Sequence, residues 1–177
     1  MTICVFGAAS DDIDEVYIKS SEALGEKMAQ SGHTLLFGAG STGVMGAVAR
    51  GAHRFGGHII GVAPRFFDQP GVLTGDCDEL IFTDTLAERK TIMENSSDGF
   101  IIAPGGIGTL DEFFQVLTLR CLGRHDKPVA VFNPGGYYDE LFVFLRKLQT
   151  QGFAAATLWE RIEVFSEPEA LLRFMEA

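Results

Sequence analysis

Short apolar runs alternate with longer segments of helical period along the whole chain. The pattern predicts strands at 2–6, 34–37, 58–63, 80–82, 99–103, 128–132 and 161–164. It predicts helices at 12–31, 43–55, 85–96, 108–122, 137–151 and 167–175. Phe100-Ile101-Ile102-Ala103 and Val129-Ala130-Val131-Phe132 are continuous apolar runs, which suit parallel strands buried on both faces. The expectation is an α/β fold: a doubly wound, Rossmann-like, mostly parallel sheet flanked by helices. No linker, repeat or low-complexity segment divides the chain, so residues 1–177 read as a single domain. The least regular stretch, 64–79, reads as a surface loop, either a lid or a plain connector.

In such a sheet, ligands bind beyond the carboxyl ends of the strands. Four loops fall there: Gly7-Ala8-Ala9-Ser10, Gly38-Ala39-Gly40-Ser41-Thr42-Gly43, Pro104 to Thr109, and Asn133-Pro134-Gly135-Gly136. Glycine lets backbone approach a ligand closely, and free N–H groups at a helix start attract an anion.

The formal net charge is −10, which argues against a nucleic-acid surface or an anionic membrane as partner. It leaves room for one small anion in a locally positive pocket. Cys4, Cys77 and Cys121 are odd in number and scattered, so they form neither a disulfide framework nor a zinc spacing. His53 and His58 lack acidic or cysteine neighbours at ligand spacing. Thr2-Ile3-Cys4-Val5-Phe6 opens the chain as a strand, without a signal-peptide pattern, and no run is long enough to span a membrane. The expectation is a cytoplasmic, metal-free protein.

Gly38 to Gly43 spells GxGxxG between a strand and a helix, the first requirement of a dinucleotide fingerprint. The next strand should then end in Asp or Glu to hold a ribose. It ends in Pro64-Arg65 instead, and the loop follows the second strand rather than the first. Arg65 leaves an NADP 2′-phosphate conceivable, yet the fingerprint as a whole fails. Ser41 lacks the flanking glycine and the His/Asp partners of a nucleophile elbow.

The segment 101–115 carries the chemistry. A buried strand leads to Pro104; Gly105, Gly106 and Gly108 make the turn; Thr109 adds a hydroxyl beside the free helix amides. A phosphate fits there. Asp111 and Glu112 are first-turn acids, which the helix dipole favours without any catalytic role. A carboxylate facing a bound sugar would also orient a water and stabilise an oxocarbenium-like centre. Glu88-Arg89-Lys90 lies on the preceding helix, where such a trio is usually a solvated face. Here its cations would oppose the acidic helix start across the pocket, with Arg89 offering a planar fork.

Pro104-Gly105-Gly106-Ile107-Gly108-Thr109-Leu110-Asp111-Glu112 resembles the PGGxGTxxE motif of the LONELY GUY (LOG) family, cytokinin riboside 5′-monophosphate phosphoribohydrolases often mislabelled lysine decarboxylases. Arg89-Lys90 resembles that family's RK pair, and Ser97-Asp98-Gly99-Phe100 its SDAF. Phe37-Gly38-Ala39-Gly40 with Gly43-Val44-Met45-Gly46, then Gly123 to Pro128, then Gly136-Tyr137-Tyr138-Asp139 extend the likeness along the chain. The resemblance implies hydrolysis of AMP or N6-substituted AMP to free base and ribose 5-phosphate, with no metal or pyridoxal cofactor. It implies Arg89 and Glu112 as catalytic residues. It implies a nucleoside monophosphate held by Gly105, Gly106, Gly108 and Thr109, with Lys90, Asp111, Thr118, Ser10, Gly38 and Gly40 around it. It also implies a homodimer with sites near the subunit interface.

The sequence departs from the family pattern in places. Gly7-Ala8-Ala9-Ser10 stands for CGSS, Ala39 for a glycine, Leu86-Ala87-Glu88 for MHx, Leu119-Arg120-Cys121 for WAQ or WRQ, and Asp111 for a glutamate. Leu86, Leu119 and Cys121 read as repacked core. The base-binding half of the site is therefore less determined than the phosphate half. An alternative function is a non-catalytic carrier of nucleotide or molybdenum cofactor, since carriers of that cofactor resemble the same fold and glycine-rich motif. A lysine decarboxylase is disfavoured, because Lys19, Lys27, Lys90, Lys127 and Lys147 lack the setting of a Schiff-base lysine.

Overall fold

A computed structural model describes residues 1–177. Seven strands form one all-parallel sheet in the order β4-β3-β2-β1-β5-β6-β7. They are β1 (Thr2–Phe6), β2 (Thr34–Phe37), β3 (Ile59–Pro64), β4 (Glu79–Thr83), β5 (Gly99–Ile102), β6 (Val129–Phe132) and β7 (Glu163–Phe165). Alternation along β1 sends Ile3 and Val5 into one core and Cys4 and Phe6 into the other. The first core is closed by α1 (Glu15–Gln30), α2 (Gly43–Arg54) and α6 (Pro168–Met175). The second is closed by α3 (Leu86–Ser96), α4 (Ile107–Cys121) and α5 (Asp139–Thr150). The doubly wound expectation therefore holds, with every strand parallel.

Strand order reverses at β1 and β5, which pair directly through Cys4–Phe100 and Val5–Ile101. That reversal opens a crevice beyond their carboxyl ends. The loops after these strands line it, and Ala8 N donates to Pro104 O at 3.0 Å across it.

Some boundaries move, each for a local reason. α1 starts at residue 15, because the Asp14 carboxylate caps it by accepting Val16 N at 3.0 Å. α5 starts at 139, after a 3-10 turn at Pro134–Gly136 that needs Gly135 at φ 64°. A second 3-10 segment, Ala156–Arg161, delays the last strand to 163. Residues 64–79 are a strapped connector rather than a free lid. Arg65–Phe67 wind into a 3-10 turn. The chain then lies against the β2–α2 loop, with Ser41 N donating to Val72 O at 3.0 Å and Thr74 N to Ala39 O at 2.9 Å.

Candidate active site

Two glycine-rich loops open helices at the carboxyl edge of the sheet, and the hydrogen bonding separates them. The N-terminus of α2 is closed. Gly43 N donates to the Asp11 carboxylate at 3.0 Å, and Met45 N to Ala8 O at 3.0 Å. A carboxylate of the chain itself already occupies the place an anion would take, so GxGxxG here is a packing turn. The N-terminus of α4 is open. Gly106 is its N-cap residue and no side chain caps it. The N–H groups of Gly106, Ile107, Gly108 and Thr109 have no acceptor in the chain. Successive free amides at a helix start form an anion-binding concavity.

Glycine is required at the base of this turn. A methyl at position 105 would stand 2.1 Å from Thr109 Oγ1 and 2.5 Å from Thr109 Cβ. Positions 106 and 108 face open space, so their lack of side chains leaves the amides accessible. Thr109 is buried, its hydroxyl turned into the same corner.

Glu112 lies on the inner face of α4, in helical register with buried Thr109, Phe113 and Val116. Arg89 reaches it from α3, which packs on the same side of the sheet. Arg89 Nη1 and Glu112 Oε1 are 2.8 Å apart, with side chains only 11% and 9% exposed. Arg89 Nε donates to Val62 O at 3.2 Å, fixing the guanidinium plane. α3 itself is held by a Thr85–Glu88 capping box, so Glu88 of the Glu88-Arg89-Lys90 trio is structural. Burial raises the Glu112 carboxyl above the usual carboxylate range, while the Arg89 guanidinium pulls it back down. The result is a water-poor carboxylate suited both to opposing positive charge and to accepting a proton.

Lys90 Nζ meets Asp111 Oδ2 at 2.9 Å on the outer side of the same two helices. The expected opposition of cations on α3 to acids on α4 is thus two parallel ion pairs. Gly38 and Gly40 serve as space. A methyl at 38 would stand 2.3 Å from Arg89 Nη2, and one at 40 would stand 2.7 Å from the Met45 methyl. Ser10 is exposed on the rim of the crevice, its hydroxyl accepting Asp12 N at 3.3 Å. Thr118 is not brought to this corner. It is exposed nine residues beyond Thr109 along α4, about 14 Å away at 1.5 Å per residue. The sequence reading assigned no role to Val62, Met45 or Tyr137; the first acts through its carbonyl, which no side-chain pattern reveals.

The family model described as possible lysine decarboxylase matches residues 45–175. A Mycobacterium tuberculosis protein named cytokinin riboside 5′-monophosphate phosphoribohydrolase is 42% identical over 172 residues, covering 97% of this chain and 91% of that protein. The chain belongs to the LOG family. Another LOG relative, the Arabidopsis thaliana cytokinin riboside 5′-monophosphate phosphoribohydrolase LOG3, is 37% identical, covering 98% of this chain and 81% of that protein. Among solved structures, the Moco carrier protein of Chlamydomonas reinhardtii superposes with a TM-score of 0.75 at 26% identity, covering 99% of this chain and 94% of that one.

Ala39 takes a glycine's position and keeps its left-handed conformation, φ 60°, which is strained for alanine. The reading of Leu86, Leu119 and Cys121 as repacked core is wrong. Leu86 is 46% exposed, Cys121 is exposed and Leu119 is half-buried. Leu86 and Cys121 sit on helix surfaces that this chain alone leaves uncovered.

Proposed function

We propose that the protein hydrolyses the N-glycosidic bond of AMP or an N6-substituted AMP, giving free base and ribose 5-phosphate. The observation that carries this reading is the buried Arg89–Glu112 pair set one turn below an open row of amides. LOG relatives named as phosphoribohydrolases support it. The phosphate accepts from the amides of Gly106 to Thr109 and from the Thr109 hydroxyl, and Ser10 faces it across the crevice. The ribose then lies toward Glu112. As the C1′–N9 bond breaks, its electron pair leaves with the base and C1′ becomes cationic. The Glu112 carboxylate stabilises that centre and accepts a proton from the attacking water, whose oxygen bonds to C1′. The base takes up a proton at nitrogen. Arg89 keeps Glu112 ionised and aligned. No step in this reading calls on a metal or a pyridoxal cofactor.

The lysines do not suit decarboxylase chemistry. Lys90, the one nearest the site, is paired to Asp111, and Lys19 and Lys27 pair with Glu15 and Glu169 at the surface. A carrier role is the second reading, favoured by the shared fold with the Moco carrier protein. It leaves the Arg89–Glu112 pair without a task.

The reading includes a homodimer. Ile107, Phe114 and Leu122 are exposed along one face of α4, together with Thr118 and Cys121. In a dimer built on that face, Thr118 meets the partner instead of the nucleotide of its own subunit. Three free cysteines fit a reducing, cytoplasmic setting. No helix is long and apolar enough to cross a membrane.

Product chromatography tests the reading. AMP and N6-isopentenyl AMP, incubated without added metal, are expected to yield base and ribose 5-phosphate in equal amounts. Arg89→Ala and Glu112→Ala are expected to remove turnover while the proteins stay folded. Intact nucleotide after prolonged incubation of the wild type, with a tightly held pterin in the purified protein, would favour the carrier instead.

A further inference from the structure

We infer that Tyr137 is a positioning residue for the phosphate seat: its hydroxyl, donating to Gly105 O, turns the Gly105–Gly106 peptide so that the Gly106 N–H faces the ligand. The inference rests on the proposed nucleotide reading and adds to it a residue outside the glycine motif.

Every carbonyl through the turn is held. Ala103 O accepts from the Tyr138 hydroxyl at 2.8 Å and Pro104 O from Ala8 N at 3.0 Å. Gly105 O accepts from the Tyr137 hydroxyl at 2.9 Å and Gly106 O from Leu110 N at 3.0 Å. The amides from Gly106 to Thr109, by contrast, are all free. In a planar trans peptide the carbonyl and the following N–H point in opposite directions. Holding the Gly105 and Gly106 carbonyls on one side therefore presents the Gly106 and Ile107 amides on the other.

Among these peptides, Gly105–Gly106 is the one most able to rotate. Glycine flanks it on both sides, and nothing lies within 4 Å of where a side chain at 106 would begin. No side chain caps the helix there. If the peptide turned over, it would point a carbonyl oxygen at a dianionic phosphate, and repulsion would replace a hydrogen bond. The Tyr137 hydroxyl is the side-chain group that opposes this turnover.

The hydroxyl is separable from the ring. The Tyr137 ring is held edge-on between Tyr17 and Tyr138, at centroid distances of 5.2 and 4.7 Å. Its segment is anchored independently by Asn133, whose side chain donates to Asp139 at 2.8 Å and accepts Tyr138 N at 2.7 Å. Tyr137 is 41% exposed, so water can solvate Gly105 O when the hydroxyl is gone. Phenylalanine at 137 keeps the packing and removes the orienting bond alone. Tyr138 differs, because its buried hydroxyl satisfies a buried carbonyl and its loss is a stability defect.

Titration calorimetry with ribose 5-phosphate and, separately, with adenine compares wild type and Tyr137→Phe. Ribose 5-phosphate is expected to bind the variant about threefold to tenfold more weakly, the range for one lost orienting hydrogen bond. Adenine binding and the melting temperature are expected to stay unchanged. In turnover of AMP, KM is expected to rise with kcat nearly constant. Equal affinity of both proteins for ribose 5-phosphate would overturn the inference, as would a matching loss for adenine. A wild type that binds no ribose 5-phosphate at all would overturn the proposed function and this inference with it.

Discussion

Removing the buried Arg89–Glu112 ion pair as a unit is expected to leave the protein at least as stable as the wild type. Arg89 and Glu112 are about nine-tenths buried and 2.8 Å apart. Burial nevertheless lifts the Glu112 carboxyl above its ordinary range, so for this group desolvation outweighs the attraction of Arg89. Apolar side chains of similar size, as in the double variant Arg89→Met with Glu112→Leu, are expected to match the wild type or exceed it by up to about 4 kcal/mol. Arg89→Met alone leaves a buried carboxylate without its cation, a change that costs about 3–5 kcal/mol when the group is charged. For a chain of this length that corresponds to a fall in Tm of roughly 6–20 °C. The cost depends on pH. Without Arg89, the folded-state pKa of Glu112 rises further above its unfolded value. The stability associated with the bound proton is then fully present below the unfolded pKa and is lost as pH rises through the folded pKa. The single variant is therefore expected to be close to wild type near pH 4.5 and far below it at pH 8. Urea unfolding followed by Trp159 fluorescence, in buffer free of phosphate, measures all three proteins. A double variant less stable than Arg89→Met would refute the reasoning, as would a pH-independent deficit in the single one.

Further outcomes follow from the same geometry. Gly38→Ala puts a methyl 2.3 Å from Arg89 Nη2, so the guanidinium must shift and turnover is expected to fall about a hundredfold with little change in Tm. Gly105→Ala meets Thr109 Cβ at 2.5 Å and is expected to destabilise the fold by about 1–3 kcal/mol. Gly106→Ala meets nothing and is expected to keep wild-type stability while weakening ribose 5-phosphate binding, which calorimetry would show. The acid limb of the kcat/KM profile for AMP is expected above the ordinary glutamate range, because burial raises the carboxyl that must be ionised. Phe114→Glu, on the exposed face of α4, is expected to yield a monomer by light scattering.

Much of this was legible in the sequence, and the parts that were not share a cause. Continuous apolar strands and glycine turns predicted the parallel sheet, and the Pro104–Thr109 turn stood out because Thr109, Glu112 and the Arg89-Lys90 pair accompany its glycines. Of the two glycine loops, the first was set aside because no acid ends the strand after it, not because of the contact that closes it. What closes the first is the Asp11 carboxylate on Gly43 N, a contact across 32 residues. Arg89 and Glu112 were singled out as opposed charges across a pocket, but their direct 2.8 Å contact follows only from α3 and α4 packing on one face of the sheet. Tyr137 entered only as part of the Gly136 to Asp139 match, since its partner is a backbone carbonyl 32 positions away. Thr118, carried over from the family resemblance, is exposed on α4 about 14 Å along the helix from Thr109. The surface positions of Leu86 and Cys121 were misjudged because apolar character signals burial without saying whether the same chain supplies the cover.

The most direct test of the site is a crystal structure of Glu112→Gln with AMP, a variant in which turnover is expected to be too slow to consume the ligand. The account predicts the phosphate within hydrogen-bonding distance of the amides from Gly106 to Thr109, with C1′ facing residue 112. A phosphate bound at the start of α2 instead, or a ribose turned away from residue 112, would contradict it.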